Sequence, residues 1–212
     1  MHSYLSALPG LGRGLGTTFT IALLAMALAV AIGFAAGIIR AQAPRAIDLP
    51  ILVVIEFFRG IPLLVLMYLL FFALPGFGIR TSNNGAAIAA LALYAGALAS
   101  EIVRGALVSI PFGQSEAGAA LALGRFAILR DVVLPQALRR MLPPFVALFA
   151  LIVESSSLSA LIDVTDLLQA ARQNVERDTD IALPVYLTVL VAYFVINYPV
   201  SLLSQRLEKR LT

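Results

Sequence analysis

The stretch SIPFGQSEAGAALALGRFAILRDVVLPQALRRMLPP, residues 109–144, decides the fold because it separates two very apolar parts of the chain. It is not a plausible membrane span, since charges and prolines are scattered along it. These residues are Glu116, Arg125, Arg130, Asp131, Arg139, Arg140, Pro111, Pro135, Pro143 and Pro144. A charged, partly helical segment in this position predicts a surface for a partner outside the membrane.

Composition indicates an integral membrane protein. Hydrophobic residues make up 60% of the 212 residues and charged residues 13%, against roughly 25% charged residues in a soluble domain. The chain has no cysteine, which excludes disulfides, thiolate catalysis and cysteine metal sites. Its one histidine, His2, stands at the N-terminus, and no other group of residues predicts a catalytic or metal site.

Five apolar segments predict an all-α fold with about five transmembrane helices, because about 20 apolar residues cross the hydrocarbon of a bilayer. The first segment is longer than the apolar core of a signal peptide, about 7–15 residues, so we expect it to be retained. Residues 1–212 then form one membrane domain after a glycine-rich lead. The predicted spans are about 17–39, 51–74, 86–107, 145–162 and 182–203, with a cytoplasmic two-helix loop at about 109–144.

Basic residues predict the orientation of the chain. Ten arginines and lysines fall in one set of loops and four in the other. Because basic loops stay in the cytoplasm, we expect an external N-terminus and a cytoplasmic C-terminus. The same rule explains the pI near 9.6, and no basic run with interleaved aromatic residues indicates nucleic-acid binding.

Charged residues inside predicted spans are candidates for function, because charge is costly in a membrane. Glu56 and Arg59 are three residues apart and can pair on one helix face, as can Glu101 and Arg104. Each pair is either an anchor near the cytoplasmic interface or a contact with the pathway or a neighbouring subunit. Pro62 and the charges also make the first half of the second span unlike an ordinary lipid-facing helix.

Glu154 lies near the middle of the fourth predicted span, with no basic residue three or four positions away. It is either satisfied by neighbouring helices or faces a wet pathway, where Ser155, Ser156 and Ser157 would add hydroxyl groups. The second alternative suits a substrate with an amino or other cationic group. Arg59 is a further candidate for the pathway.

Local signals divide the stretch 109–144 into two short helices. Ser115 predicts an N-cap and Gly124 a left-handed helix end, so the first helix would cover about 116–123. A second helix, about 126–133, would stop before Pro135. Small residues near Ala117 would then allow close approach of a partner, although a helix pair lying on lipid is the alternative. The chain contains no GxxxxGK[ST] loop, so ATP would not bind by that route.

Four segments together resemble the permease subunits of ABC importers of the polar amino acid uptake family. They are GLGTTFTIAL at 14–23, EFFRGIPLLVLMY at 56–68, EIVRGALVSIPFGQSEA at 101–117 and VVLPQALRRMLPP at 132–144. The last two resemble the EAA loop of these permeases. The resemblance therefore implies the type I importer fold for the whole chain. The resemblance assigns coupling to an ATPase to Gln114, Glu116, Ala117, Leu121, Ala122, Gly124 and Pro135.

Two positions depart from the family pattern. The loop glycine of the family falls on Ala122, so the turn is either strained there or shifted to Gly124. The segment VESSSL has Glu154 where the family often has lysine, which suggests a cationic amino acid such as arginine, lysine or histidine.

The resemblance implies an ATP-driven importer in a bacterial plasma membrane. A periplasmic or lipid-anchored amino-acid-binding protein delivers the substrate, two identical or different permease subunits form the pathway in the bilayer, and two ABC ATPase subunits bind ATP and Mg²⁺. The chain itself needs no cofactor and is not an enzyme. The alternatives are a permease for another small solute, such as an osmolyte or opine, and a channel or accessory subunit that works without ATP.

Overall fold

The structure, a computed structural model, describes residues 2–211, with the side chain of His2 outside the described part. The described residues form helices and connecting loops without a strand. The α-helices are α1 (His2–Gln42), α2 (Arg45–Gly60), α3 (Leu63–Tyr68), α4 (Asn83–Val108), α5 (Phe112–Ala120), α6 (Arg125–Ala127), α7 (Leu134–Ser156), α8 (Leu167–Arg177) and α9 (Ala182–Leu211).

Four stretches of the described chain are long and apolar enough to cross a membrane: most of α1, α4, the helical run from residue 125 to 162, and the run from residue 179 to 211. A fifth crossing results if α2 and α3 form one broken span. The all-α fold with about five spans is therefore confirmed, whereas the limits of each span in the bilayer stay predictions.

The second predicted span is broken between α2 and α3. Residues 45–60 and 63–77 meet at an angle of 100°. The break lies at Ile61, whose extended backbone (φ −84°, ψ 131°) is the conformation favoured before a proline, and Pro62 then precedes α3. The proline in this charged segment thus ends one helix and starts the next.

Glycines bring α1 and α4 into close contact. A Cβ atom on Gly33 would lie 2.4 Å from the Cβ of Ala99, and one on Gly37 would lie 2.6 Å from the Cβ of Val103. Gly33 and Gly37 are four residues apart on one face of α1, the small-xxx-small spacing that allows helix backbones to approach in membranes. The pair α1–α4 is consequently the main scaffold of the fold.

Three apolar clusters lie along the bundle. The central one joins α1, α3, α4 and α7, for example Ala25, Met67, Leu91 and Ile152. One end of the bundle packs the start of α1 against α8 and α9, and the other packs the end of α4 against residues 128–141.

The glycine-rich residues before the first predicted span are helical and belong to α1. Ala7 and Leu11 are buried against Leu167 and Ala171 of α8. Tertiary packing therefore compensates for the low helix propensity of the four glycines between residues 10 and 16. The polar sequence after the fourth span also predicts a short amphipathic helix at about 164–175, and this helix is present as α8, shifted by two to three residues.

Candidate coupling surface and candidate substrate-facing cavity

Helix α5 carries the first part of the predicted coupling segment. It starts at Phe112, directly after Pro111. This start is three residues before the predicted N-cap at Ser115. Glu116 therefore lies in the second turn rather than the first. Glu116 and Ala117 are both exposed, and within the described chain Glu116 makes no ion pair.

One small residue of α5 is used inside the protein, which corrects the expectation that all of them face a partner. Gly118 is buried, and a Cβ atom there would lie 2.9 Å from the Cγ1 of Ile128. Ala117, Ala119 and Ala120 stay exposed. Gly118 thus fixes α5 against the following helix while its neighbours remain available to a partner.

Hydrogen bonds attach this segment to α7. The Gln136 amide Nε2 donates to the Gln114 side-chain oxygen at 3.3 Å. The Arg140 guanidinium donates to the carbonyl oxygen of Ser109 at 2.6 Å and to its hydroxyl at 2.9 Å. Gln114 lies in the first turn of α5 and Ser109 precedes the helix, so these bonds attach the N-terminal side of α5 to α7.

The left-handed turn after α5 lies at Ala122, which has φ 59°. The Leu123 N–H donates to the Gly118 carbonyl at 3.1 Å and the Ala122 N–H to the Ala119 carbonyl at 2.9 Å, the two bonds of a Schellman motif. Gly124, with φ −70°, is extended, so the turn has not shifted there. An alanine in this conformation costs about 1–2 kcal/mol, which the two hydrogen bonds offset.

The second predicted helix does not stop before Pro135. The helical run continues from Arg125 through a π-helical turn at 128–133 into α7, so the last part of the segment 109–144 belongs to a long helix. Pro135 stands in the first turn of α7, where its missing N–H removes no hydrogen bond that the α-helix needs. Leu121, Ala122 and Gly124 form the exposed tip between α5 and this helix.

Glu154 lines a surface cavity of about 780 Å³ between α7 and α9. Its polar lining from α9 includes Tyr193 and Asn197, and the buried amide oxygen of Asn197 accepts no hydrogen bond from the described residues. A carboxylate and a free amide oxygen together form a pair of acceptors. Such a pair suits a ligand that is rich in N–H donors.

The other predicted pathway residues are not brought together with Glu154. The Ser156 hydroxyl is buried and donates to the Val153 carbonyl at 2.7 Å, and the Ser157 hydroxyl donates to the Glu154 carbonyl at 2.7 Å. Ser155 is half-buried, and none of the three serines lines the cavity. Arg59 lies at the end of α2, where its guanidinium pairs with Glu56 at 2.5 Å.

Arg40 forms an ion network that the sequence analysis missed. The predicted pair of Glu101 and Arg104 is confirmed at 2.8 Å, and the buried Arg40 guanidinium donates to the other oxygen of Glu101. Arg40 also donates to Asp48 at 2.8 Å. One arginine thus connects α1, α2 and α4. The available signal in the sequence was the position of Arg40 eight residues before Asp48, with the turn at Pro44 between them.

Asp166 was also missed, although it caps α8. Its Oδ1 accepts a hydrogen bond from the Gln169 N–H at 2.8 Å, while Oδ2 is buried without a partner among the described residues. The Leu167 N–H donates to the buried Thr18 hydroxyl at 3.1 Å, which docks α8 on α1. Burial raises the pKa of Asp166 to about 6.

We expect Asp166→Asn to change how stability depends on pH. Because the folded-state pKa is raised above 3.8, the protonated carboxyl stabilises the protein fully below about pH 3.8, and this contribution is lost as the pH rises through about 6. The shift corresponds to about 3 kcal/mol. Asparagine retains the N-cap and stays neutral, so the variant should match the wild type near pH 4 and melt several degrees higher at pH 8.

Thermal unfolding of the purified protein in detergent measures this difference. Asp163→Asn is the matched control, since it removes an exposed carboxylate from the same loop. A constant difference in melting temperature between Asp166→Asn and the wild type from pH 4 to pH 8 would contradict the expectation.

A sequence comparison identifies the family. The family model described as "Binding-protein-dependent transport system inner membrane component" matches residues 29–212. The chain belongs to this family. Its relatives support the same conclusion, so the resemblance to ABC importer permeases is confirmed.

Relatives and a solved structure agree with this family. This permease is 36% identical over 201 residues to the probable glutamine ABC transporter permease protein GlnP of Bacillus subtilis strain 168, covering 94% of this chain and 92% of the relative. It is also 36% identical over 207 residues to the glutamine transport system permease protein GlnP of Escherichia coli strain K12, covering 97% and 94%. The crystal structure of an amino acid ABC transporter with histidines matches with a TM-score of 0.87 at 28% identity, covering 97% of this chain and 96% of that one.

These findings establish the class of the protein. It is a permease subunit of an amino acid ABC importer with the type I importer fold, and it is a multi-pass component of the inner membrane. A permease subunit is not itself an enzyme, and permeases of this family work with an ATPase and a binding protein.

Proposed function

We propose that the permease forms the membrane pathway of a polar amino acid importer together with a second permease subunit. In this proposal the segment 109–144 transmits the movement of an ATPase subunit to the pathway. The exposed tip after α5 is the single observation that carries the proposal. At this tip, α5 and the following helix are joined through the left-handed turn at Ala122.

Large apolar side chains are exposed at the tip, just after it, and at the start of α5. Phe112 is 75% exposed, Leu121 76% and Phe126 72%. Large apolar side chains exposed beside charged ones mark a protein interaction site, because water solvates them poorly. Arg130 and Asp131 form an exposed ion pair at 2.7 Å in the helix that follows the tip. This pair supplies a polar rim beside the apolar side chains. An apolar centre with a polar rim suits a groove on a soluble partner subunit.

ATP and Mg²⁺ would bind to the partner ATPase, since the sequence lacks a phosphate-binding loop. ATP can shift the importer between conformational states only if the ATPase binds α5 with a different free energy in each state. The bonds from Gln136 and Arg140 would pass that difference to α7, which also carries Glu154. The last part of the segment 109–144 and the candidate pathway residue therefore lie on one helical run, from residue 125 to residue 162.

The proposed orientation places the C-terminus and the segment 109–144 in the cytoplasm and the N-terminus outside. The excess of basic residues in the loops on the C-terminal side supports it. A periplasmic or lipid-anchored binding protein would then deliver the amino acid near α8. The second permease, identical or different, would cover the exposed face of α9, where Phe194 and Tyr198 stack at 5.1 Å beside the cavity.

Glu154 favours a cationic amino acid as the substrate, although both GlnP relatives are named for glutamine. A carboxylate attracts a cationic side chain and would do so strongly in the low dielectric of a membrane cavity. The free amide oxygen of Asn197 would accept a second N–H from the same group.

We expect Glu154→Gln to reduce the preference for arginine over glutamine by roughly tenfold, because one charge-assisted hydrogen bond is worth about 1.5–3 kcal/mol. Glu154→Lys should abolish uptake of cationic amino acids and retain that of neutral ones. The measurement is uptake of labelled amino acids by the assembled importer in proteoliposomes, with its binding protein.

Glu56→Gln is the control, because Glu56 is a membrane carboxylate that is already paired with Arg59 and lies outside the cavity. Unchanged preference between basic and neutral amino acids in both Glu154 variants would refute the role of Glu154 in selectivity.

A further inference from the structure

A second cavity, of about 420 Å³, lies between the start of α1 and α8, far along the chain from the coupling segment. Its lining is polar and contains two arginines, Arg13 and Arg177, with no acidic side chain. The amides of Gln173 and Asn174 and the hydroxyl groups of Ser6, Thr17 and Thr165 complete the polar lining. A cavity of this volume is in the range of small-molecule sites.

The charges of both arginines are uncompensated. Within residues 2–211 neither Arg13 nor Arg177 makes a salt bridge. Glu176 and Asp178 flank Arg177 in the chain, but neither lines the cavity, and Asp163 lines a neighbouring one.

The Ser6, Thr17 and Asn174 side chains already donate to backbone carbonyl oxygens, so the two arginines are the charged donors of this cavity. Two guanidinium groups that line one cavity suit a phosphate group, whose oxygens accept bidentate hydrogen bonds.

The depth of the cavity indicates where the phosphate comes from. Arg13 is four residues before Thr17, where the first predicted span begins, which is about 6 Å along a helix. The headgroup layer of a bilayer occupies roughly this distance outside the hydrocarbon. With the first span starting at the predicted Thr17, Arg13 would lie at the level of lipid phosphates.

An apolar stripe continues from the cavity into the membrane. Arg13, Thr17, Thr20, Leu24 and Leu28 follow each other at three- and four-residue spacing on one face of α1. Leu24 and Leu28 are exposed. A lipid whose phosphate sat on Arg13 would lay an acyl chain along these leucines.

We propose that the cavity between α1 and α8 binds the phosphate of an anionic phospholipid in the leaflet on the N-terminal side of the membrane. The lipid would hold α8 against α1. The hydrogen bond from the Leu167 N–H to the buried Thr18 hydroxyl already joins these two helices. The site lies apart from the segment 109–144 and from the Glu154 cavity, so it does not depend on the proposed coupling role.

Native mass spectrometry of the intact importer, purified in mild detergent and titrated with phosphatidylglycerol, tests the proposal. We expect one tightly retained lipid per copy of this permease. Arg13→Gln and Arg177→Gln should each weaken its binding by roughly tenfold, because each removes a charged donor. Arg13→Lys should lose less, since it keeps the charge. Arg80→Gln is the matched control, because Arg80 is an exposed arginine in a loop outside the cavity.

A parallel titration with inorganic phosphate distinguishes the source of the anion. Thermal stabilisation by phosphatidylglycerol that is absent with phosphatidylcholine and inorganic phosphate, and reduced in both glutamine variants, supports the lipid site. Stabilisation by inorganic phosphate alone overturns the lipid as the source. Equal lipid retention and equal melting temperatures for wild type, Arg13→Gln and Arg177→Gln overturn the site altogether. Glutamine variants that retain the lipid but lose subunit assembly overturn it as well, because the arginines would then serve assembly and not lipid binding.

Discussion

Replacing Glu116 by arginine should lower ATP-driven uptake roughly tenfold or more and leave the permease folded. Glu116 is exposed in the second turn of α5 and makes no ion pair within residues 2–211, so its replacement disturbs little inside the chain. In a docked complex the reversed charge would meet groups arranged for a carboxylate. Such a mismatch at an interface costs several kcal/mol.

ATP hydrolysis and uptake are measured together on the reconstituted importer to test this prediction. We expect hydrolysis that no longer responds to the amino acid and its binding protein, with normal amounts of permease in the membrane. Arg206→Glu is the control, since it reverses an exposed charge on α9 outside the segment 109–144. Normal uptake by Glu116→Arg would count against a docking role of α5.

Replacing Arg40 by methionine should destabilise the bundle by about 3–5 kcal/mol, the usual cost of breaking a buried ion pair from one side. The Arg40 side chain is only 4% exposed and serves both Asp48 and Glu101. Its loss would leave Asp48 without its partner and Glu101 with Arg104 alone. The contact of α1 with α2 and α4 would weaken at the end of the bundle that carries α5.

The melting temperature in detergent provides the measurement, with Arg104→Met as the matched control. Arg104 bonds to the same carboxylate but is partly exposed, so its loss should cost less than about 1 kcal/mol. Adding Glu101→Gln to Arg40→Met should restore part of the stability, because it removes a half-buried charge that has lost one of its two partners. Equal shifts for the two single variants would show that the network contributes no more than a surface pair.

The type of fold and the presence of the coupling segment followed from the sequence because both depend on local signals. Apolar runs of about 20 residues and the charged stretch between them predict membrane helices and a loop without knowledge of contacts. The pairing of Glu101 with Arg104 and of Glu56 with Arg59 also followed, since both pairs lie within one helical turn.

Features that depend on contacts between distant residues could not be predicted in this way. Ala122 adopts a left-handed conformation because the Schellman bonds and the packing of Gly118 on Ile128 fix the end of α5, and these outweigh the preference for glycine. Pro135 does not end a helix because the π-helical turn before it changes its position in the hydrogen-bond pattern.

The candidate pathway residues show the same limit. Glu154 was predicted because no basic residue lies three or four positions away in sequence. Whether the serines beside it lie on the same face depends on the local helix geometry. They follow at one-, two- and three-residue spacing, and the hydroxyl groups of Ser156 and Ser157 bond back to carbonyls of their own turn. Asn197, 43 positions away in sequence on α9, meets Glu154 only through the packing of α7 on α9.

Cysteine cross-linking of the coupling tip to the partner ATPase tests the docking of the segment 109–144 most directly. The chain has no cysteine, so Leu121→Cys introduces a single thiol at a tip residue. Phe77→Cys, at a position that is 80% exposed outside the segment, is the control. We expect a bifunctional thiol reagent to join the ATPase to Leu121→Cys alone, with a yield that changes when ATP is added. Cross-linking from Phe77→Cys and none from Leu121→Cys would contradict the docking of this segment on the ATPase.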